Sequence, residues 1–394
     1  MSQNTPPSLP RPDEAGHSHS ERVAAHIRER IEAAGGRIGF AEFMHHALYA
    51  PGLGYYVAGA AKFGQAGDFI TAPEVSGVFG AVVARQCAET IGELGYGGIL
   101  EIGAGSGKLA ADMLEAFESL GALPEVYQIL EVSADLRERQ RDLLTERIPH
   151  LVDRVEWLSG MPESHRGVIV ANELLDALPV ERFVRRDDGI ARQCVRIADG
   201  GFTWDEEPAG DNLTRAVTSI EMDLGRVLPD GFTSEVSLAS TNWVSDVAAS
   251  LEEGLVLLFD YGVTRREYYA EDRAEGWLRC HYRHHAHNDP FVLAGIQDIT
   301  SWVDFTGVAE SADAAGLDVA GFSAQAQFLI AGGLDAAMAD FENLSLEHQL
   351  ELSQQVKTLT LPGEMGENFK CLALRRGDMP APSGFALADR THTL

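Results

Sequence analysis

Residues Ile99–Lys108 read Ile-Leu-Glu-Ile-Gly-Ala-Gly-Ser-Gly-Lys. Gly103, Gly105 and Gly107 follow an apolar run and precede a helical pattern that sets Leu109, Met113, Leu114 and Phe117 on one face. A strand, a glycine turn and a helix in that order form the entrance to a nucleotide-type site. The backbone there must turn sharply and let a ligand lie against it with no Cβ in the way. The spacing excludes two such ligands. A dinucleotide fingerprint needs glycine where Lys108 stands, and a phosphate loop needs glycine at Ile102 and Ser or Thr at Leu109. What remains is acidic-x-Gly-x-Gly-x-Gly, with Glu101 as the acid. The next β-favouring run, Val126–Leu130, ends in Glu131, and a carboxylate at that strand tip can accept both hydroxyls of a ribose. Each acid also has a plainer reading, Glu101 as a charge favoured by a helix N-terminus and Glu131 as a solvated strand end.

A second constellation lies in Val168–Pro179, Val-Ile-Val-Ala-Asn-Glu-Leu-Leu-Asp-Ala-Leu-Pro. An apolar strand delivers Asn172, Glu173 and Asp176 to its tip, where open α/β sheets bind ligands. Asn172 can place an amide against a substrate or cofactor, and Glu173 and Asp176 can hold a cation. Asn172 is also a good helix N-cap. Asp260 and Tyr261, at the end of the run Leu255–Phe259, are similar candidates. Upstream, Gly67–Pro73 reads Gly-Asp-Phe-Ile-Thr-Ala-Pro. Phe69 could stack on an adenine, Thr71 could donate to a carboxylate, and Pro73 closes the stretch. The residues alone leave a packed Ω-type loop equally open. His281, His284, His285 and His287 match no metal-ligand spacing, so no metal is expected. No Gly-x-Ser-x-Gly elbow supports a serine nucleophile.

These groups need a scaffold. The chain has 394 residues, 45% of them hydrophobic, which permits one large domain with insertions or two domains. No apolar run reaches the length of a membrane span. A net charge of −29 argues against a nucleic-acid surface and suits a cationic peptide substrate, solubility being the plainer reading. Cys87, Cys194, Cys280 and Cys371 are far apart and fit reduced thiols in a cytosol. The start has neither the apolar core of a signal peptide nor an Arg-rich transit pattern, so a bacterial cytoplasm is expected over a mitochondrial matrix.

Runs at Ile99–Gly103, Val126–Glu131, Arg154–Leu158 and Val168–Ala171 alternate with helical patterns, the rhythm of an α/β fold with a parallel sheet and helices on both faces. Helices are expected at Glu21–Ala34, Phe40–Tyr49, Glu74–Leu94, Leu213–Val227 and Glu235–Glu252. A hairpin is expected in Glu181–Trp204 around Asp187-Asp188-Gly189, and later strands at Leu255–Asp260, Asp298–Phe305, Ala324–Leu329 and Phe369–Leu374. The expected division is a disordered tail over 1–20, a helical and loop extension over 21–85 that contributes to the cofactor site, and a first core half over 86–180. A hairpin and helical insertion over the substrate cleft follows at 181–253, then a second core half over 254–376 and a tail over 377–394.

The pattern Glu101–Gly107 resembles motif I of class I S-adenosylmethionine (SAM) methyltransferases. Together with Gly54-Tyr55-Tyr56, Gly67–Pro73, Leu130-Glu131-Val132-Ser133, Asn172–Pro179, Asp260-Tyr261-Gly262 and Met365-Gly366-Glu367, it resembles the MidA-like SAM-dependent methyltransferases over roughly residues 21–376. The resemblance implies a class I Rossmann-like methyltransferase sheet with an added N-terminal segment and an insertion, and SAM as cofactor. Phe69, Thr71, Pro73, Glu101, Gly103, Gly105, Gly107, Glu131 and Asn172 would be its site, with Glu173, Asp176 and Asp260 in catalysis. It further implies arginine methylation of a protein, a core subunit of the NADH:quinone oxidoreductase during assembly. Partners are thus a protein substrate, with no nucleic acid and no membrane insertion, a homodimer being left open. Three alternatives stand beside this: methylation of a small molecule or another protein residue, a non-catalytic SAM-binding assembly chaperone, and a nicotinamide oxidoreductase, the last disfavoured by Lys108.

Overall fold

The computed structural model describes residues 9–58 and 70–394, and the chain divides into two units. The unit that holds the glycine turn comprises Ile70–Leu175, Asn242–Thr264 and Val303–Leu394. Its strands are β1 (Gly98–Ile102), β2 (Tyr127–Leu130), β3 (Val155–Leu158), β4 (His165–Asn172), β5 (Leu251–Val263), β6 (Asp318–Ala324) and β7 (Phe369–Arg376). They lie in the order β3-β2-β1-β4-β5-β7-β6, with a two-residue strand, Val303–Asp304, beside the end of β5. β7 is antiparallel to both neighbours and the other pairings are parallel. The chain runs outward from β1 through β2 and β3, then returns to β4 on the other side of β1. The tips of β1 and β4 therefore flank a topological switch point, where open α/β sheets receive ligands.

Burial on both faces explains the apolar runs Val168–Ala171 and Leu255–Phe259. The helix Gly77–Leu94, capped by the Ser76 hydroxyl, packs on the helix Lys108–Leu120 and on β4 and β5. Phe259 of β5 meets Phe79 and Phe328, with ring centroids 5.2 and 5.3 Å apart. At the opposite ends of the strands Gly98, Gly167 and Gly254 form one row across β1, β4 and β5. A Cβ on Gly167 would lie 2.0 Å from the Gly98 carbonyl oxygen, and its φ is +138°. Gly167→Ala is therefore expected to cost ~3 kcal/mol or more, since neither backbone can give way without breaking the ladder. Denaturant unfolding checks this, and a midpoint unchanged from wild type would contradict it.

The other unit comprises the described part of 1–69, with Asp176–Thr241 and Arg265–Trp302. Its larger sheet is antiparallel: Arg37–Gly39, Gly189–Ala198, Glu181–Arg186 and Thr233–Val236 in that order, with Gly201–Pro208 also paired to Gly189–Ala198. The helices Glu14–Ala33 and Phe40–Tyr49 bury Val23, Ile27, Ile31, Phe40, Phe43 and Met44 in one cluster with Val195. A smaller sheet pairs Leu278–Tyr282 with His285–His287 and Asp298–Ser301. Among the described residues, no group of three or more His, Cys, Asp or Glu could hold a metal, and no helix is long and apolar enough to cross a membrane.

Several expectations are corrected. Within the stretch taken as a tail, Leu9 packs with Tyr282, Leu293 and Ile296, and the first helix starts at Glu14 because Asp13 caps it at Gly16 N (2.7 Å). The C-terminal stretch is also packed: Phe385 meets Phe328, and Arg390 pairs with Glu367 at 2.6 Å. The unit boundaries fall at 69/70 and 175/176 rather than 85/86 and 180/181, and residues 265–302 leave the core unit. The hairpin is a three-stranded meander, and Glu235–Glu252 begins as a strand before the helix Leu238–Ser250. Glu74–Leu94 is broken at Ser76. Asp298–Phe305 splits between the two units, and Phe305 opens a helix. Ala324–Leu329 is the start of the helix Gln325–Ala331, the strand lying just before it; a short apolar run does not distinguish the two by periodicity.

Candidate functional site

The glycine turn leaves β1 with Gly103 N–H donating to the Leu130 carbonyl of β2 (2.9 Å) and Gly107 N–H to that of Ala104 (2.8 Å). Gly105 has φ +54°, and an added Cβ would meet no atom of the other described residues within 4 Å. Lys108, which breaks the dinucleotide pattern, is tied to Asp112 at 2.9 Å, and Arg147 holds the other Asp112 oxygen at 2.8 Å. Its ammonium thus serves the helix.

At the tip of β2, Glu131 is buried. One carboxylate oxygen accepts from Ser133 N–H (2.9 Å) and the other from Gln140 Nε2 (3.3 Å). Burial raises its pKa, opposed by these donors and by Arg137. Val132 N–H also donates to the carboxylate, which offers about four acceptor directions, so Glu131 retains capacity for a further donor. Val132, beside it, is 72% exposed and offers an apolar surface at the strand tip.

At the tip of β4, Asn172 donates to Glu173 Oε1 (3.2 Å), while its own buried Oδ1 has no hydrogen-bond partner among the described residues. Glu173 has φ +49°, a strained conformation for a residue with a side chain. The geometry is held by its N–H donating to the Phe259 carbonyl (2.8 Å) and by Ala72 N–H donating to its Oε1 (3.3 Å). Asp260, buried at the end of β5, accepts from Leu175 N–H and Tyr261 N–H, both at 2.9 Å. The stretch Thr71–Val75 is tied to the same tips: besides Ala72, Glu74 accepts a hydrogen bond from Ser106 inside the glycine turn. Thr71 precedes the short helix Ala72–Val75 without capping it through its side chain, and Pro73 is buried.

The structure thus brings Thr71, Pro73, Gly103, Gly105, Gly107, Glu131, Asn172, Glu173 and Asp260 to the tips of adjacent strands or against them. Phe69 lies outside the described residues. Asp176 opens the second stretch of the other unit, where its carbonyl accepts from Ser301 N–H (2.9 Å). Glu101 lies within β1, buried, accepting from Tyr127 OH at 2.7 Å. Its surroundings raise its pKa to about 7, through burial first and repulsion from Glu131 second, the Tyr127 bond opposing. In the unfolded chain it ionises near 4.5, so the stability it contributes is full below that pH and is lost as pH rises through about 7. Glu101→Gln, which keeps the Tyr127 acceptor, is therefore expected to stabilise the protein at pH 8 by at most ~3 kcal/mol, and by little at pH 4.5. Thermal unfolding across that range tests this; parallel profiles for the two proteins would contradict it. The roles of Gln140 and Trp157 and the Ser106–Glu74 bond went unread in the sequence, since only the fold brings these residues to the turn.

Comparison with known proteins decides the ligand class. A family model for S-adenosyl-L-methionine-dependent methyltransferases matches residues 82–323. The chain belongs to this family. Among solved structures, this methyltransferase is similar to a superfamily member from Burkholderia thailandensis bound to S-adenosyl-homocysteine. The two are 40% identical with a TM-score of 0.93, covering 98% of this chain and all of that one. It is also 28% identical to the mitochondrial protein arginine methyltransferase NDUFAF7 of Danio rerio, over 90% of this chain and 86% of that protein. The Drosophila melanogaster homologue is 29% identical over 93% and 87%. The fold is that of a SAM methyltransferase and the cofactor is SAM. The residues present fit it: among the described residues nothing fills the space over Gly105, and nothing donates to the buried Asn172 Oδ1.

Proposed function

We propose that the protein methylates an arginine side chain of a protein substrate, with Glu173 as the guanidinium clamp. The observation that carries this reading is the Glu173 carboxylate, held at the β4 tip in a strained backbone by Phe259, Ala72 and Asn172. The names of the relatives as arginine methyltransferases support it, as does the charge of −29, whose field favours a cationic acceptor.

When bound, SAM supplies an electrophilic methyl group on a sulfonium. Gly103–Gly107, Glu131 and Asn172 would hold it, and most of the rate gain must come from alignment, because methyl transfer is an in-line displacement. A guanidinium has a pKa above about 12 and is a poor nucleophile. Glu173 would bind it through charge-assisted hydrogen bonds and draw its positive charge toward the clamped nitrogens, leaving another nitrogen more electron-rich. That nitrogen takes the methyl as the carbon–sulfur bond breaks, a neutral thioether leaving and the nitrogen's proton passing to water. Asp260 acts one step back: both its oxygens face backbone amides, so it fixes the Glu173–Leu175 turn as a positioning residue.

The test is transfer of labelled methyl from SAM into an extract lacking this protein, followed by separation of proteins from small molecules. Label in protein, with a core subunit of the NADH:quinone oxidoreductase tried first, is expected. Label confined to small molecules would overturn the reading.

A further inference from the structure

Gln140 joins three elements around the glycine turn. It lies on the helix Ala134–Arg147 and is fully buried. Its Nε2 donates to the Gly105 carbonyl (2.9 Å) and to Glu131 (3.3 Å), while its Oε1 accepts from Trp157 Nε1 (2.9 Å). An indole N–H can only donate, so the amide has one orientation: oxygen toward Trp157, nitrogen toward the turn and the carboxylate. The stem of Gln140 also sits 3.1–3.3 Å from where a Cβ on Gly107 would be. A side chain that merely filled this space would be apolar, because burying an amide is costly unless each of its groups is satisfied.

We propose that Gln140 is a positioning residue for SAM, fixing the Gly103–Gly107 turn and the aim of the Glu131 carboxylate together, with Trp157 as its anchor. The inference rests on the reading that Glu131 receives the ribose hydroxyls. One amide then sets the distance between the backbone under one part of the cofactor and the acceptor for another. The charged groups acting on Glu131 are Arg137 of the Gln140 helix, which favours the carboxylate and donates to the Glu131 backbone carbonyl, and Glu101 of β1, which repels it. Loss of the Gln140 donor leaves burial less opposed, so Glu131 protonates at higher pH.

The test is calorimetric titration with S-adenosyl-homocysteine from pH 5 to 8 for wild type, Q140L, W157F, E131Q and Q140L/E131Q. Q140L is expected to weaken binding at least ~10-fold and W157F ~3-fold, from loss of a charge-assisted hydrogen bond and of its anchor. The double variant should bind more tightly than the product of the two single losses, since both changes remove the Gln140–Glu131 bond, while the loss of the Gly105 bond persists. The acid limb of binding should move to higher pH in Q140L and W157F, which a purely structural defect would not produce. Should Q140L not fold, W157F carries the same readouts. Unchanged binding in Q140L and W157F would overturn the proposal, as would fully additive losses with an unmoved acid limb. Normal binding by E131Q would overturn it at its foundation, the ribose reading, and is distinguishable because it appears in that variant alone.

Discussion

Glu173→Gln is expected to bind SAM within ~3-fold of wild type and to lose methyl transfer by ~100-fold or more, the scale of removing a preorganised electrostatic partner. The substitution is close to isosteric. Gln retains the oxygen that accepts from Ala72 N–H and Asn172, and the backbone bond to Phe259 is untouched. What disappears is the negative charge, and with it the guanidinium clamp. Calorimetry with SAM and single-turnover transfer to the acceptor protein separate the two effects. Loss of SAM affinity in this variant would move Glu173 into the cofactor site and remove the clamp.

Gly105→Val is expected to abolish SAM binding, with affinity falling ~100-fold or more, while the protein stays folded. The two consequences have different origins. At φ +54° a β-branched residue is strained by ~1–2 kcal/mol, which lowers the unfolding midpoint by a few degrees. Among the described residues, the chain neighbours aside, no atom lies within 4 Å of the new Cβ, so no packing among them is lost. The side chain instead fills the space over the turn that the cofactor needs. Gly105→Ala should fall between the two. A valine variant with wild-type SAM affinity would show that the cofactor does not lie over Gly105.

The core strands were legible because they are buried on both faces and so appear as unbroken apolar runs, as in Val168–Ala171 and Leu255–Phe259. The glycine turn was legible because its spacing is local. In the second unit the helix Phe40–Tyr49 and the turn between Glu181–Arg186 and Gly189–Ala198 were legible for the same reason, but the assembly of its sheets was not. Its sheet joins Arg37–Gly39 to residues near 190 and its smaller sheet uses Asp298–Ser301, pairings that no local period records. The site divides the same way. Glu131, Asn172 and Glu173 stand at strand ends visible in the sequence, while Gln140 and Trp157 reach them only through a helix and a third strand. Glu101 was visible for its position, yet its bond to Tyr127 turns it inward, a direction set by the pleat of β1.

The central claim is that a carboxylate at the β4 tip prepares an arginine for methylation. Its most direct test is a mass-spectrometric comparison of methylated residues in cells carrying the wild-type protein and cells carrying Glu173→Gln at the same level. The account predicts at least one methylarginine, in a protein substrate, present with the first and absent with the second. An unchanged set of methylarginines, with loss of a methyl mark on another residue type, would contradict it.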